Sequence, residues 1–329
     1  MTRSHLYSAL LLLAGTSPLL AEPQAVVDAP GEQTPARPTP DAGAPAAEAE
    51  SAKPPAEEKA KGSEFLRILR NEEGEPLAMQ TAVVRYVPID ESKAGLFVDL
   101  VGAVHIGEKS YYKELNELFP AYDAMLYELV APEGTRVRAE DHAGPPTHPI
   151  GALQVGMQGM LGLEHQLQQV DYSPENFVHA DMSPDEFAES MKRRDESFFK
   201  MFFRALGQSA ARQNIEGQGT SDAELLFALF SKDRTLRLKR ILAEQFGDLE
   251  QSTAVFDGPD GSTILTERNK KALEVLDREI KAGKKKLAIF YGAAHLPDME
   301  RRLHDEFHLK PTETRWINAW KLDSAESDK

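Results

Sequence analysis

Three apolar segments set the strongest limit on how this chain can fold. Residues 96–104 (LFVDLVGAV), 124–130 (AMLYELV) and 286–291 (KLAIFY) have the length and composition of buried strands. An amphipathic segment, residues 111–122, separates the first two. A strand, a helix and a second strand within about 35 residues form a βαβ unit, whose strands pair in parallel with a right-handed crossover.

The remaining periodicities extend this α/β pattern. Further strands are predicted at residues 65–70, 77–87, 176–180 and 314–322, and helices at residues 263–282 and 297–307. Ser183 begins a capping box with Pro184 at the first helical position, and a helical pattern continues with breaks to about residue 246. The sequence therefore predicts an α/β fold with a mixed, largely parallel central sheet, flanking helices and a helical insertion, or lid, at about residues 150–250.

The N-terminal part of the chain differs in character from the rest. Residues 1–21 are typical of a secretory signal peptide, with an apolar core at residues 6–14 and a small residue, Ala21, before the cut. A retained anchor is the alternative, although the apolar run is shorter than the ~20 residues of a membrane span. Residues 22–62 are rich in Pro, Ala and Glu, which predicts a disordered tether. We expect a periplasmic or secreted protein whose folded domain is residues 63–329.

Charge and composition exclude several classes of function. The chain has 38 Lys and Arg residues against 53 Asp and Glu residues, a net charge of -15. This balance argues against nucleic acid as the main partner and against strong membrane association after signal cleavage. Cysteine is absent, which excludes disulfides, thiolate metal sites and a cysteine nucleophile. A peptide or another small molecule is the expected partner, and any metal must be bound by His, Asp, Glu or backbone oxygen.

Two of the predicted strands end in the same motif, a glycine three residues before a histidine. The motif is GAVH at His105 and GAAH at His295. A third match, GLEH at His165, shows how easily the pattern arises by chance. The first two carry weight because each closes a buried strand and precedes a helix. The carboxyl ends of parallel strands form the crevice in which α/β proteins bind ligands.

Glu128 lies in the buried strand that follows the first motif. An ionised carboxylate is costly there unless it is paired or bound to a metal. His105, Glu128 and His295 come from three strands that could end at one crevice, and two imidazoles with a carboxylate suffice to hold a divalent metal. Each residue alone is more simply interpreted as a hydrogen-bonded core residue, but the three together favour a site.

Arg268 and Asn269 lie in the first two turns of the helix predicted at residues 263–282. A position near a positive helix end suits them to polarising a carbonyl or holding an oxyanion. The alternative is a buried Arg268 that pairs with Glu128 or another acid and only fixes the fold.

His179 and Asp181 follow the short strand predicted at residues 176–180. They are candidates for a further metal ligand, or for groups that hydrogen-bond to the ligands and orient them. A surface histidine and a strand-end aspartate are the simpler interpretation.

The ordered set of GAVH, YELV, the helical pair Arg268 and Asn269, and GAAH resembles the TraB/Tiki family, also called TraB/GumN-like. The similarity covers roughly residues 80–322 and is weakest across residues 132–260. The resemblance implies the broader fold of erythromycin-esterase-like and haem-binding ChaN-like proteins. For Tiki members it implies a metal-dependent peptidase activity with Mn or Co, and for TraB members the inactivation of a peptide pheromone.

The resemblance also implies roles for individual residues. His105, His295 and Glu128 take the positions of metal ligands, and Glu128, Arg268 and Asn269 take catalytic positions. We therefore expect an exported, metalloprotease-like hydrolase that acts on a peptide or another amide or ester with Mn, Co or Zn. The alternative is a non-catalytic protein that binds a metal, a haem or a peptide in the same crevice. The central region of the family is not matched in this chain, so neither the substrate nor the oligomeric state can be inferred from the resemblance.

Overall fold

The computed structural model of the chain describes residues 64–90, 94–135, 137, 159–196, 228, 230–250 and 261–324, with side chains as far as residue 244 in the range 230–250. The predicted signal peptide at residues 1–21 and the predicted tether at residues 22–62 lie outside these ranges. Much of the insertion predicted at about residues 150–250 also lies outside them.

A central sheet of seven strands organises the described residues. These strands are β1 (Leu66–Arg70), β2 (Pro76–Pro88), β3 (Phe97–Ala103), β5 (Ala124–Tyr127), β7 (Phe177–His179), β8 (Lys286–Gly292) and β9 (Leu309–Lys321). Two further strands, β4 (Ile106–Gly107) and β6 (Glu164–His165), form a separate antiparallel pair. The strands β3, β8, β5 and β7 are neighbours in that order and pair in parallel, while β1, β2 and β9 pair antiparallel at one side.

Helices flank this sheet. They are α1 (Lys109–Leu118), α2 (Gln166–Gln169), α3 (Pro184–Arg193), α4 (Arg234–Glu250), α5 (Arg268–Lys281) and α6 (Leu296–Asp305). The helix predicted at residues 263–282 has two parts, because a π-helical turn, Thr263–Glu267, precedes α5. The predicted mixed α/β fold with a largely parallel central sheet is confirmed. Within the described ranges, no helix combines the length and the apolar character that crossing a membrane requires.

The antiparallel side of the sheet depends on the long strand β2. One edge of β2 pairs with β9 along its length, and the other edge pairs first with β1 and then with β3. The final strand was predicted to begin at residue 314, but β9 begins at Leu309. Most side chains in the first half of β9 are exposed, so the strand is held there by backbone pairing and lacks the apolar alternation by which strands are recognised.

The parallel strands form the core that positions the site. β5 is buried throughout, and β3 and β8 are buried except at their first residues. Their register aligns Ala103 with Gly292, and Tyr127 with both Phe290 and His179. The carboxyl ends of all four parallel strands therefore lie at the same edge of the sheet.

The middle of the chain contributes to this sheet as well as to the helices around it. The strand predicted at residues 176–180 is β7, and it pairs in parallel with β5. The capping box at Ser183 is present and begins α3. The described part of the predicted insertion thus combines helices α2, α3 and α4 with strand β6 and with β7, a strand of the central sheet.

Candidate functional site

The three predicted ligands follow the carboxyl ends of three parallel strands. His105 lies two residues beyond β3, and Glu128 is the first residue after β5. His295 ends a short 3-10 turn, Ala293–His295, that follows β8. Glu128 is thus placed just past the strand in which the sequence had located it, and this brings its carboxylate to the sheet edge.

Arg268 binds two carboxylates in the interior at this edge. Its Nη2 donates to Oε1 of Glu128 at 2.7 Å and to Oδ2 of Asp181 at 2.5 Å, and its Nε donates to Oδ1 of Asp181 at 2.9 Å. All three side chains are at most 3% exposed. Arg268 is therefore paired with Glu128, as the alternative interpretation of the sequence held, and with Asp181 as well. One positive charge faces two negative charges, which leaves the buried group with a net negative charge.

The carboxylate of Glu128 is held in its ionised form. Burial alone would raise its pKa, but the positive charge of Arg268, the neighbouring imidazoles of His295 and His105 and the N–H of Gly292 together lower the pKa to about 2. The Gly292 N–H donates to Oε2 at 2.8 Å. A Cβ at residue 292 would lie 3.4 Å from this oxygen, which is an ordinary van der Waals contact.

Asn269 fixes the ring of His295. Its Nδ2 donates to the backbone oxygen of His295 at 3.1 Å and to Oδ2 of Asp298 at 3.0 Å, so its Oδ1 is the acceptor that faces Nδ1 of His295 at 2.7 Å. Nδ1 of His295 therefore carries the proton, and Nε2 carries the lone pair. Burial lowers the pKa of His295 to about 4, against the opposing effect of Glu128, so the ring is neutral at neutral pH.

The lone pair of His295 faces a negative oxygen. Nε2 of His295 lies 3.6 Å from Oε1 of Glu128, is buried, and has no hydrogen-bond partner among the described residues. Two electron-rich atoms at this separation repel each other unless a cation or a hydrogen-bond donor lies between them. A cation or a hydrogen-bond donor between Nε2 and Oε1 would relieve this repulsion.

The backbone around His105 is fixed by hydrogen bonds to four of its carbonyl groups. Tyr111 donates to Gly102 at 2.9 Å, Tyr112 to Val104 at 3.0 Å, the backbone N–H of Gln166 to His105 at 2.9 Å, and Trp320 to Ile106 at 2.7 Å. The segment that carries the first motif is therefore rigidly placed, even though it lies beyond the end of β3.

His105 interacts electrostatically with the other two predicted ligands, Glu128 and His295. Its Nε2 is buried and lacks a hydrogen-bond partner among the described residues. Burial lowers the pKa of His105, and the negative charge of Glu128 opposes this effect. His105 in turn contributes to the lowered pKa of His295. The structure thus brings His105, Glu128 and His295 together.

The two supporting residues predicted from the sequence have different roles. Asp181 binds Arg268, as described above, and also accepts the N–H of Met182 at 2.7 Å. His179 donates from Nε2 to the backbone oxygen of Leu129 at 2.6 Å and packs on Tyr127, so it supports the segment that carries Glu128.

Sequence reasoning missed Gln166, which lies beside His105. The weak third motif provides the link, because His165 in β6 pairs with Ile106 in β4. His165 itself caps α2 by accepting the N–H of Leu167, in keeping with the interpretation that it is not a ligand. Asp298, the second partner of Asn269, was also missed. Only the pairing of β4 with β6 reveals that the GLEH segment reaches the site.

The described residues contain no group of three or more His, Asp or Glu side chains placed to hold one metal ion. The separation of 3.6 Å between His295 and Glu128 nevertheless falls within the roughly 3–4 Å expected for two ligands with bonds of about 2.0–2.2 Å to one ion. His105, with its buried Nε2, is the predicted third ligand. His295 and Glu128 therefore have the separation of two ligands of one ion, whereas a third ligand is not in place among the described residues.

Comparisons with protein-family models, with curated proteins and with solved structures found no match to this chain. The resemblance to the TraB/Tiki family therefore depends on the ordered motifs alone.

Proposed function

We propose that this chain is an exported metal-dependent hydrolase that acts on a peptide or another amide or ester, with the metal held by His105, Glu128 and His295. The observation that carries the proposal is the unpartnered Nε2 of His295 opposite the ionised Oε1 of Glu128, 3.6 Å away. The reaction class, hydrolysis of an amide or ester, is inferred from the resemblance of the ordered motifs to the TraB/Tiki family.

A metal cation accounts for this pair better than a proton does. The pKa of His295 is about 4, so at neutral pH its ring does not supply the positive charge that Oε1 of Glu128 faces. The buried group of Arg268, Glu128 and Asp181 already carries a net negative charge, which a divalent cation would balance. Imidazole nitrogen and carboxylate oxygen are ligands that suit Mn, Co and Zn.

The chain's own residues would hold and orient the reacting groups. Asn269 keeps Nε2 of His295 free of a proton, and Arg268 holds the carboxylate of Glu128. A bound divalent ion would supply Lewis-acid polarisation of the scissile carbonyl and would lower the pKa of an attacking water. Because the pKa of Glu128 is about 2, Glu128 supports a ligand role more than a general-base role.

The state of Glu128 also favours a second candidate, a protein that binds a metal, a haem or a peptide without turnover. Both oxygens of Glu128 accept hydrogen bonds, one from Arg268 and one from Gly292. A hydrolase would then need a proton-transfer group other than Glu128. A non-catalytic protein would have no need of such a transfer.

The test uses the full chain, stripped of metal and then titrated with Mn, Co and Zn. We expect stoichiometric binding of one of these ions, metal-stimulated hydrolysis of peptide substrates, and a loss of affinity of at least about 100-fold in His295→Ala. His304→Ala is the matched control, because the His304 side chain is 63% exposed. Stoichiometric binding without any hydrolysis would identify the binding protein, and no binding of any of the three ions would refute the metal site.

A further inference from the structure

Three buried side-chain atoms lack a hydrogen-bond partner among the described residues: Nε2 of His105, Nε2 of His295 and Oε1 of Gln166. Buried polar atoms are almost always paired, so each exception calls for an explanation. The two histidines belong to the site described above. Gln166 reaches the same place, because its backbone N–H donates to the backbone oxygen of His105 at 2.9 Å.

Contacts with Tyr172 and His105 place the two ends of the Gln166 amide. Nε2 donates to the hydroxyl of Tyr172 at 2.9 Å, and Oε1 is the acceptor end, beside His105, that raises the pKa of that ring. The side chain is only 4% exposed. Among the described residues, neither His105 nor any other donor meets Oε1 in full hydrogen-bond geometry. Oε1 is thus a buried oxygen that has His105 as its polar neighbour toward the site.

The backbone of Gln166 is also fixed. The residue opens the short helix α2, directly after β6, and β6 pairs with β4 next to His105. The cap on α2, in which His165 accepts the N–H of Leu167, stabilises this start. The backbone that carries Oε1 of Gln166 is therefore held by strand β6 before it and by helix α2 from Gln166 onward.

We propose that Oε1 of Gln166 is an additional ligand of the divalent cation, beside His105, Glu128 and His295. This inference rests on the proposed function, because it needs a metal at that site. The four proposed ligand atoms, two imidazole nitrogens, a carboxylate oxygen and an amide oxygen, are all electron-pair donors, which favours a cation over an anion. Amide oxygens are established ligands for divalent cations. A neutral oxygen also adds a contact to the cation without adding charge to a group that is already negative.

The experiment compares Gln166→Met, Gln166→Glu and the control Gln168→Met in the full chain, with Co²⁺ as the probe. Gln168 lies in the same helix and is exposed. We expect Gln166→Met to weaken Co²⁺ binding by about 10–100-fold and to change the visible absorption of the bound ion. We expect Gln166→Glu to bind Co²⁺ more tightly but to be less stable than the wild type without metal, because it adds a buried negative charge. Gln168→Met should match the wild type.

The outcomes separate this inference from the proposed function. Wild-type affinity and an unchanged Co²⁺ spectrum in Gln166→Met would overturn the role of Gln166 and leave the metal site standing. Failure of the wild type to bind Co²⁺, Mn²⁺ or Zn²⁺ would overturn both. If circular dichroism shows that Gln166→Met does not fold, Gln166→Glu decides: weakened binding in a folded Gln166→Glu protein would contradict the proposal.

Discussion

Replacement of Arg268 by methionine tests whether charge pairing holds the site together. Methionine has a similar length and no charge, so the change removes the cation and keeps most of the packing. It leaves the carboxylates of Glu128 and Asp181 buried with no opposing charge from this position. The remaining hydrogen bond from Gly292 to Glu128 is not enough to offset the burial of two negative groups.

The magnitude follows from the structure. Breaking a buried ion pair by removing one partner costs about 3–5 kcal/mol. The lowered pKa of Glu128, about 2 against an ordinary value of 4.5, gives the direction of the effect: the charges around Glu128 outweigh its burial, and Arg268 is the largest of these favourable contributions. We expect Arg268→Met to lower the free energy of unfolding by about 3–5 kcal/mol at about pH 7.

The loss should depend on pH in a defined direction. In the wild type, the stabilisation from Glu128 is fully present above about pH 4.5 and is lost as the pH falls toward about 2. In Arg268→Met, burial raises the pKa of the Glu128 carboxyl, so it takes up a proton as the pH falls and the penalty is relieved. The difference in stability between the two proteins is therefore greatest near neutral pH and shrinks in acid.

Urea unfolding of the metal-free full chain, followed by tryptophan fluorescence, measures this difference. Both tryptophans, Trp316 and Trp320, lie in β9 and report on the sheet. Arg278→Met in the same helix is the control, because the Arg278 side chain is 58% exposed and should change stability by less than about 0.5 kcal/mol. A loss below about 1 kcal/mol in Arg268→Met, or a difference that stays constant with pH, would refute the reasoning.

Two further expectations concern the motif residues. Gly102→Ala should lower the free energy of unfolding by about 1–3 kcal/mol, because its Cβ would lie 3.3 Å from the backbone oxygen of Ala82 and 3.4 Å from that of Phe65. Gly292→Ala, whose Cβ would make ordinary contacts, should cost less in the same urea measurement. His295 has its pKa lowered to about 4, so its contribution to stability is full above about pH 6.5 and is lost as the pH falls toward 4. His295→Gln should therefore flatten the fall in stability across this range, and an unchanged pH profile would contradict the burial of a neutral ring.

The sequence by itself determined the local elements and the edge at which the site forms. Apolar runs of strand length predicted β3, β5 and β8, and the capping box at Ser183 predicted the start of α3, because these signals are contained within a few neighbouring residues. The strand-end positions of His105 and His295 predicted their meeting, since parallel strands end at a common edge.

Only the tertiary structure decided which side chains face one another at that edge. Arg268 binds Asp181 from 87 residues away and Glu128 from 140 residues away, and no local pattern specifies such partners. Gln166 follows a motif that looked accidental in the sequence, and it reaches the site because β6 pairs with β4. Hydrophobic periodicity reports on burial and local backbone conformation, whereas polar partners are set by how the chain crosses over and packs. The site's hydrogen bonds and ion pairs therefore became visible only in the folded molecule.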